Sequence, residues 1–341
     1  MDNKILIIGT GGGLTSEKHT DGYQYIEPLT RTYIDQHCSI EAAYDVLELF
    51  REDSINITPA MWQTLADVIY RNYAEYAAFI VVHGTDTMAY TAAALSLFFQ
   101  NLAKPVILIG GSYSLSAINP FGRCQLRDSI RVALDSATPP AVFAISDRTV
   151  VAGTQLSNAA DFTGTILPAD GIPAARIKKE QIVWKKPSIS VPSPKELKYL
   201  PTLDTLIAVQ AVFPGFDPSL LFQTLLVSKP HGFILRGYGT GCVPLHGDHS
   251  LLPFLREARE SDIPVVICSG ATAGTTYLAS FESGLPALSH DVIEAHHMTY
   301  EMTVVKLMWT LGQTRDMAQI AQGMRQDIAG ELMPLPISAS S

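Results

Sequence analysis

Basic residues are in short supply. Lys and Arg number 24 against 33 Asp and Glu, giving a net charge of −9. That disfavours nucleic-acid binding, which needs basic patches. No uninterrupted apolar run reaches the ~18 residues of a membrane span, so no membrane partner is expected. The first residues lack a basic stretch followed by an apolar core and a small-residue cleavage site, so a cytoplasmic location is expected. Cysteine is sparse: Cys38, Cys124, Cys242 and Cys268 are far apart and form no CxxC pair. They read as free thiols in a reducing compartment. His296 and His297 are adjacent and point in different directions, while His246 and His249 sit in HGDH. Helix-face or loop positions explain them, and no metal is expected. Nucleotide loops are missing too. Counting from Gly9, GTGGGL puts Leu14 where a dinucleotide loop needs its third glycine, and no GxxxxGK[ST] occurs. No cofactor is expected.

The chain has 341 residues with 47% hydrophobic composition, enough for a large core. Its length suggests about two domains. Charged residues make up only 17%, and glycine and proline are dispersed. Such a chain folds into globular structure. No repeat of solenoid length is present.

Hydrophobic pattern and punctuation predict an alternation of strands and helices. KILII at Lys4 to Ile8 reads as a buried strand closed by glycine. Residues 14–30 are polar, contain Asp21-Gly22, and read as a loop. Thr58-Pro59 announces a helix carrying Trp62, Leu65, Ile69 and Tyr73. The strand FIVV ends at His83-Gly84, and an Ala- and Leu-rich helix follows Asp86. PVILIGG, a helix near Arg127 to Leu134 and AVFAI continue the pattern. The expected fold is α/β, with a parallel sheet and helices on both faces. KKPSISVPSPKELKYLP reads as a connector, giving an N-terminal domain at 1–186, a linker at 187–203 and a C-terminal α/β domain at 204–341. LIAVQAV, GFILRGYGTG and PVVICSG resume the alternation, and helices at Tyr300 to Leu311 and Met317 to Met324 close it.

In parallel sheets, ligands bind beyond the carboxyl ends of the strands. The expected tips are Gly9-Thr10-Gly11, Asp53-Ser54, Gly84-Thr85-Asp86 and Gly110-Gly111-Ser112. A tight βα turn accounts for the glycines around Thr10 as well as a held nucleophile does. Helix capping accounts for one residue of Thr85-Asp86-Thr87.

GTGGG with Tyr23 thirteen positions after Thr10, DSINITP, HGTDTMAYTAAALS, NLAKPVILIGG, FILRGYGTGCVP and MTYEMTVVKL together resemble the L-asparaginase family. The likeness is to its bacterial cytoplasmic, type I branch and extends along most of the chain. It implies a larger N-terminal and a smaller C-terminal α/β domain, assembled as homodimers or homotetramers. The site would lie at the N-domain strand tips, closed by a neighbouring subunit, and take a small amino-acid-like substrate. Thr10 matches the acylated nucleophile and Tyr23 the tyrosine of a closing loop. Asp53 and Ser54 match the segment that holds the substrate α-carboxylate. Thr85 matches the second catalytic threonine, and Asp86 the carboxylate facing the α-ammonium. Backbone N–H groups near Gly11, Gly84 and Thr85 are candidate oxyanion donors.

The sequence also departs from that family. The relay lysine position falls on Ser157 or Asn158, and Lys178 and Lys179 are about twenty residues downstream. Gly13, Asn56, Cys242 and GGSY at 110–113 replace the usual residues, and the cysteine of a type I effector site falls near Ala271. Three functions follow from this pattern. The first is a divergent amidohydrolase acting on asparagine or a related small amide. The second is a hydrolase of the same fold acting on a different amide or ester. The third is a catalytically silent amino-acid-binding relative.

Overall fold

The computed structural model describes residues 4–19, 22–25, 31–38, 40–111, 121–157, 167–168, 171–185, 195–271, 274–280 and 282–332. The chain divides into two compact units, Met1–Pro201 and Thr202–Ser341.

The first unit runs β1 (Ile5–Gly11), β2 (Ser16–His19), β3 (Gly22–Tyr25), α1 (Arg31–His37), β4 (Tyr44–Glu52), α2 (Pro59–Arg71) and β5 (Ala78–Val82). It continues with α3 (Met88–Phe98), β6 (Phe99–Gln100), β7 (Val106–Ile109), α4 (Phe121–Leu134), β8 (Val142–Ser146) and β9 (Thr149–Ala152). Short strands β10 (Leu156–Ser157) and β11 (Leu167–Pro168), the hairpin β12 (Ala175–Lys178) and β13 (Gln181–Trp184), and β14 (Lys198–Tyr199) complete it. Eight strands form one sheet in the order β13-β12-β9-β8-β7-β5-β1-β4. The five from β8 to β4 are parallel. At the other end the sheet turns antiparallel, because β8 returns directly as β9 through Asp147 and Arg148, both in positive φ. A two-residue return of this kind can only make an antiparallel pair. The expected parallel sheet is therefore the centre of a mixed one.

The central strands are apolar throughout because both faces are covered. Ala78–Val82 and Val106–Ile109 are buried at every position. Helix α3 is buried along nearly its whole length, which is why it shows no amphipathic stripe. Residues 16–19 and 22–25, part of the stretch expected as a loop, pair as the antiparallel strands β2 and β3. The tyrosines of GYQY favour extended backbone, and this outweighed the polar composition. Part of the expected connector docks on the first unit. Lys198–Tyr199 pairs with Phe99–Gln100, the Tyr199 ring stacks on Tyr70 and Phe99, and its hydroxyl donates to Asp67 at 2.6 Å.

The second unit contains β15 (Ile207–Ala211), α5 (Ser219–Ser228), β16 (Gly232–Gly237), α6 (Leu252–Glu260), β17 (Val265–Ser269), α7 (Leu285–Leu288), β18 (Ile293–Glu294), α8 (Tyr300–Gln313) and α9 (Met317–Arg325). Its four strands are parallel, in the order β15-β16-β17-β18. Each unit has its own core. Ile7, Ile80, Ile107 and Phe143 lie in the first, and Phe233, Leu235, Phe254 and Ile267 in the second.

Candidate active site

Four parallel strands of the first unit end side by side, and their tips hold most of the expected groups. The approach is close because glycines replace side chains where backbones meet. A Cβ at Gly12, which sits at φ 84°, would lie 2.5 Å from the Gly84 nitrogen. A Cβ at Gly84 would lie 2.5 Å from Ser54 Oγ. The tip of β1, the turn after β4 and the tip of β5 are thus in direct contact, and no larger residue fits at either position.

Ser54 is 1% exposed and opens the short 3₁₀ turn Ser54–Asn56. Its hydroxyl donates to Asp86 Oδ2 at 3.0 Å and accepts the Asp86 N–H at 3.2 Å. Thr87 Oγ1 donates to the Ser54 carbonyl at 2.7 Å. The Asp86 carboxylate is thereby fixed while its residue stays exposed, and Thr85 beside it is half-buried. Asp53 is exposed and caps the turn by accepting the Ile55 N–H at 3.2 Å.

Thr10 lies at the same edge but faces inward. It is 2% exposed, and its hydroxyl donates to the Val82 carbonyl at 2.8 Å. The side chain closes the end of the β1–β5 ladder, whose last pair there is Gly9 with Val82. Attack by this oxygen requires its proton to leave that carbonyl for a base.

Tyr23 is on β3, seven residues beyond the start of the β2–β3 hairpin, and its side chain lies outside the described residues. Ser157 is buried on β10 and pairs with Leu167. Asn158 and residues 112–113 of GGSY lie outside the described residues. Lys178 ends β12, and Lys179 follows it in the turn to β13. Strand β12 is four places from β5 in the sheet. At about 4.8 Å per step that separation is roughly 19 Å. Neither lysine is within reach of the tip of β5.

One residue of the site was not singled out from sequence. His83 directly follows β5 and is 1% exposed. Its Nδ1 lies 2.6 Å from the Gly84 carbonyl and its Nε2 lies 2.9 Å from Thr91 Oγ1. Burial pushes its pKa down to about 4, against smaller opposing effects of the Gly84 carbonyl and Asp86. The only signal in sequence is its place at the end of FIVV, which does not reveal a partner eight residues ahead.

Among the described residues, Cys242 and Cys268 are free thiols, and no group of three or more His, Cys, Asp or Glu is placed to hold a metal. None of the described helices is long and apolar enough to cross a membrane.

The class that fold and site define is that of two-unit α/β proteins carrying hydroxyls and a carboxylate at parallel strand tips. Residues 4–189 match the family model described as Asparaginase, N-terminal, and residues 207–324 match the Glutaminase/Asparaginase C-terminal domain. The chain is 32% identical over 335 residues to an L-asparaginase of Thermococcus kodakarensis, covering 96% of this chain and 99% of that protein. It is 31% identical over 293 residues to L-asparaginase 1 of Escherichia coli K12, covering 83% and 82%. The solved structure of the thermostable L-asparaginase from Thermococcus kodakarensis superposes with a TM-score of 0.87 at 30% identity, covering 97% of this chain and 99% of that one. The chain belongs to the asparaginase family and is an asparaginase-like amidohydrolase.

Proposed function

We propose that the protein hydrolyses the side-chain amide of asparagine, or of a closely related small amide, through a threonine hydroxyl at the strand tips. The observation that carries this reading is the Ser54–Asp86–Thr85 arrangement. A fixed carboxylate stands at the mouth of the site beside a half-buried hydroxyl.

Asp86 supplies the charge that an α-ammonium group needs. Ser54 has one hydroxyl proton, now given to Asp86. An incoming ammonium takes over that carboxylate and frees the proton to turn toward the substrate α-carboxylate. Binding both charged ends fixes the side-chain amide over the threonines, and orientation of this kind lowers the barrier to attack. The threonine oxygen adds to the amide carbon as its proton passes to a base. The N–H of Thr85 or a neighbouring tip residue receives the oxyanion. The base returns that proton to the amide nitrogen, which leaves as ammonia, and water then cleaves the acyl ester to give the acid and the free threonine hydroxyl. In this reading Tyr23 is the group that takes the proton, and Thr10 is the nucleophile after release from the Val82 carbonyl. A second assignment makes Thr85 the nucleophile. It is favoured by the inward hydrogen bond and 2% exposure of Thr10.

The chain has Ser157 or Asn158 where the family resemblance puts a lysine, and a positioned acid or base contributes ~10²–10⁴ in rate. Asparagine turnover is therefore slow in the parent protein. Homodimeric or homotetrameric assembly in the cytoplasm accompanies this reading.

Ammonia release from asparagine, glutamine and a panel of amides and esters tests it, with Thr10→Ala and Thr85→Val as controls. Peptide mapping after acid quench locates the acyl ester on Thr10 or Thr85. Ser157→Lys or Asn158→Lys is expected to raise asparagine turnover by at least about tenfold. Turnover on another panel member alone moves the assignment to that substrate. A thermal shift with aspartate but no turnover on any member marks a binding protein and ends the hydrolytic reading.

A further inference from the structure

We propose that His83 is a positioning residue. Its ring, held between Gly84 and Thr91, sets the Gly84–Thr85 peptide and so aims the Thr85 N–H at the oxygen of the reacting amide. The inference rests on the strand-tip reaction proposed above and assigns it a supporting group beneath the site.

The hydrogen-bond chemistry fixes the ring. A carbonyl oxygen can only accept, so the 2.6 Å contact between Nδ1 and the Gly84 oxygen places a proton on Nδ1. The ring is 1% exposed and, among the described residues, no acidic side chain hydrogen-bonds to it, so the neutral form is the stable one. Nε2 is then an acceptor, and Thr91 Oγ1, at 2.9 Å, is its donor. Thr91 is fully buried on α3. The His83 backbone is anchored as well, its N–H donating to the Ile109 carbonyl at 2.8 Å. The ring therefore joins the tip of β5 to the first turn of α3 and has one orientation that satisfies both nitrogens.

The Gly84–Thr85 peptide needs such a hold. Gly84 has no side chain because Ser54 Oγ occupies the place of its Cβ. A glycine leaves the following peptide free to turn, at no steric cost. In a trans peptide the carbonyl and the next N–H point to opposite sides. Holding the Gly84 carbonyl down on the buried ring therefore turns the Thr85 N–H away from the ring, on a residue that is only half-buried. Packing demanded a glycine at the one place where the reaction demands a fixed peptide, and His83 supplies the missing constraint.

Two near-isosteric variants separate the ring's two bonds. In His83→Asn the amide nitrogen stands near the Nδ1 position and reaches the Gly84 carbonyl. In His83→Gln it stands near the Nε2 position and reaches Thr91 instead. Steady-state kinetics, on whichever amide of the panel the parent turns over, and thermal stability are measured for both. His83→Asn is expected to keep kcat within a few-fold of the parent. His83→Gln is expected to lose on the order of 10²-fold in kcat with KM little changed, the scale of a misplaced catalytic group. A merely structural role predicts equal losses, tracking stability. Equal losses in the two variants, or full activity in His83→Gln, overturn the proposal. If the parent turns over no substrate, the hydrolytic reading fails on its own, and crystal structures of the variants decide the positioning. The Gly84–Thr85 peptide is then expected to keep its orientation in His83→Asn and turn in His83→Gln, and an unchanged peptide in both overturns it.

Discussion

A single buried imidazole under the strand tips has a consequence for stability. His83 has a pKa near 4 in the folded chain because burial disfavours its charged form. In the unfolded chain it titrates near 6.5. Between those values the unfolded chain binds the proton and the folded chain does not. The contribution of His83 is therefore fully present above pH 6.5, falls as pH drops toward 4, and changes no further below that. The span corresponds to roughly 3 kcal/mol. Denaturant unfolding of the parent and of His83→Gln at pH 7 and pH 4 measures it. The stability gap between the two is expected to narrow by about that amount on acidification, and a gap that stays constant to within about 1 kcal/mol refutes the assignment. The same residue shows where sequence reading stops. The places of Asp53, Ser54, Thr85 and Asp86 at strand tips were legible from the expected strands that precede them, and their roles belong to the reaction proposed above. His83 was not, since its role depends on Thr91 and on which face of the turn its ring enters. The inward hydrogen bond of Thr10 was equally out of reach, because the Val82 carbonyl that takes it is 72 residues away.

Elements show the same division. The strands around Ile80 and Ile107 and the helix after Pro59 were readable from apolar runs and capping residues. The antiparallel return at Asp147-Arg148 was not, because a two-residue turn is decided by backbone conformation rather than by hydrophobic pattern. Helix α8 carries a more hidden feature. Lys306 is fully buried, 2.5 Å from Glu331 Oε1 and 2.6 Å from the Gln326 carbonyl. Burial raises the Glu331 pKa, but the Lys306 charge and hydrogen bonds from Lys306 and the backbone N–H of Ala329 outweigh it, and the carboxyl is held below its usual range. The pair fastens residues 326–331 to α8. Lys306→Met leaves Glu331 buried without its cation and is expected to cost about 3–5 kcal/mol, whereas the double variant Lys306→Met/Glu331→Leu is expected to recover more than half of that. Chemical denaturation of both variants checks the prediction, and equal losses would show that packing rather than charge decides stability here.

At the scale of the whole molecule, the chain is two units with separate cores. The first core draws on residues between Ile5 and Ile177, and the second on residues between Val212 and Val292. The second unit also contains a complete four-stranded parallel sheet. Residues 202–341 expressed alone are therefore expected to give a cooperative thermal transition. A featureless melt would mean that this unit requires the first one to fold.

The sequence by itself determined the α/β alternation, the two-part organisation and the identities of the polar groups at the strand tips, since hydrophobic period and turn chemistry are local properties of the chain. Tertiary structure alone decided that Ser54 holds Asp86, that Thr10 turns inward, that Gly12, Gly84 and Ser54 meet without room for another atom, and that His83 is buried neutral beneath them. Those are contacts between strands brought together only by the sheet, and their energies depend on distance and burial, neither of which exists before the chain folds.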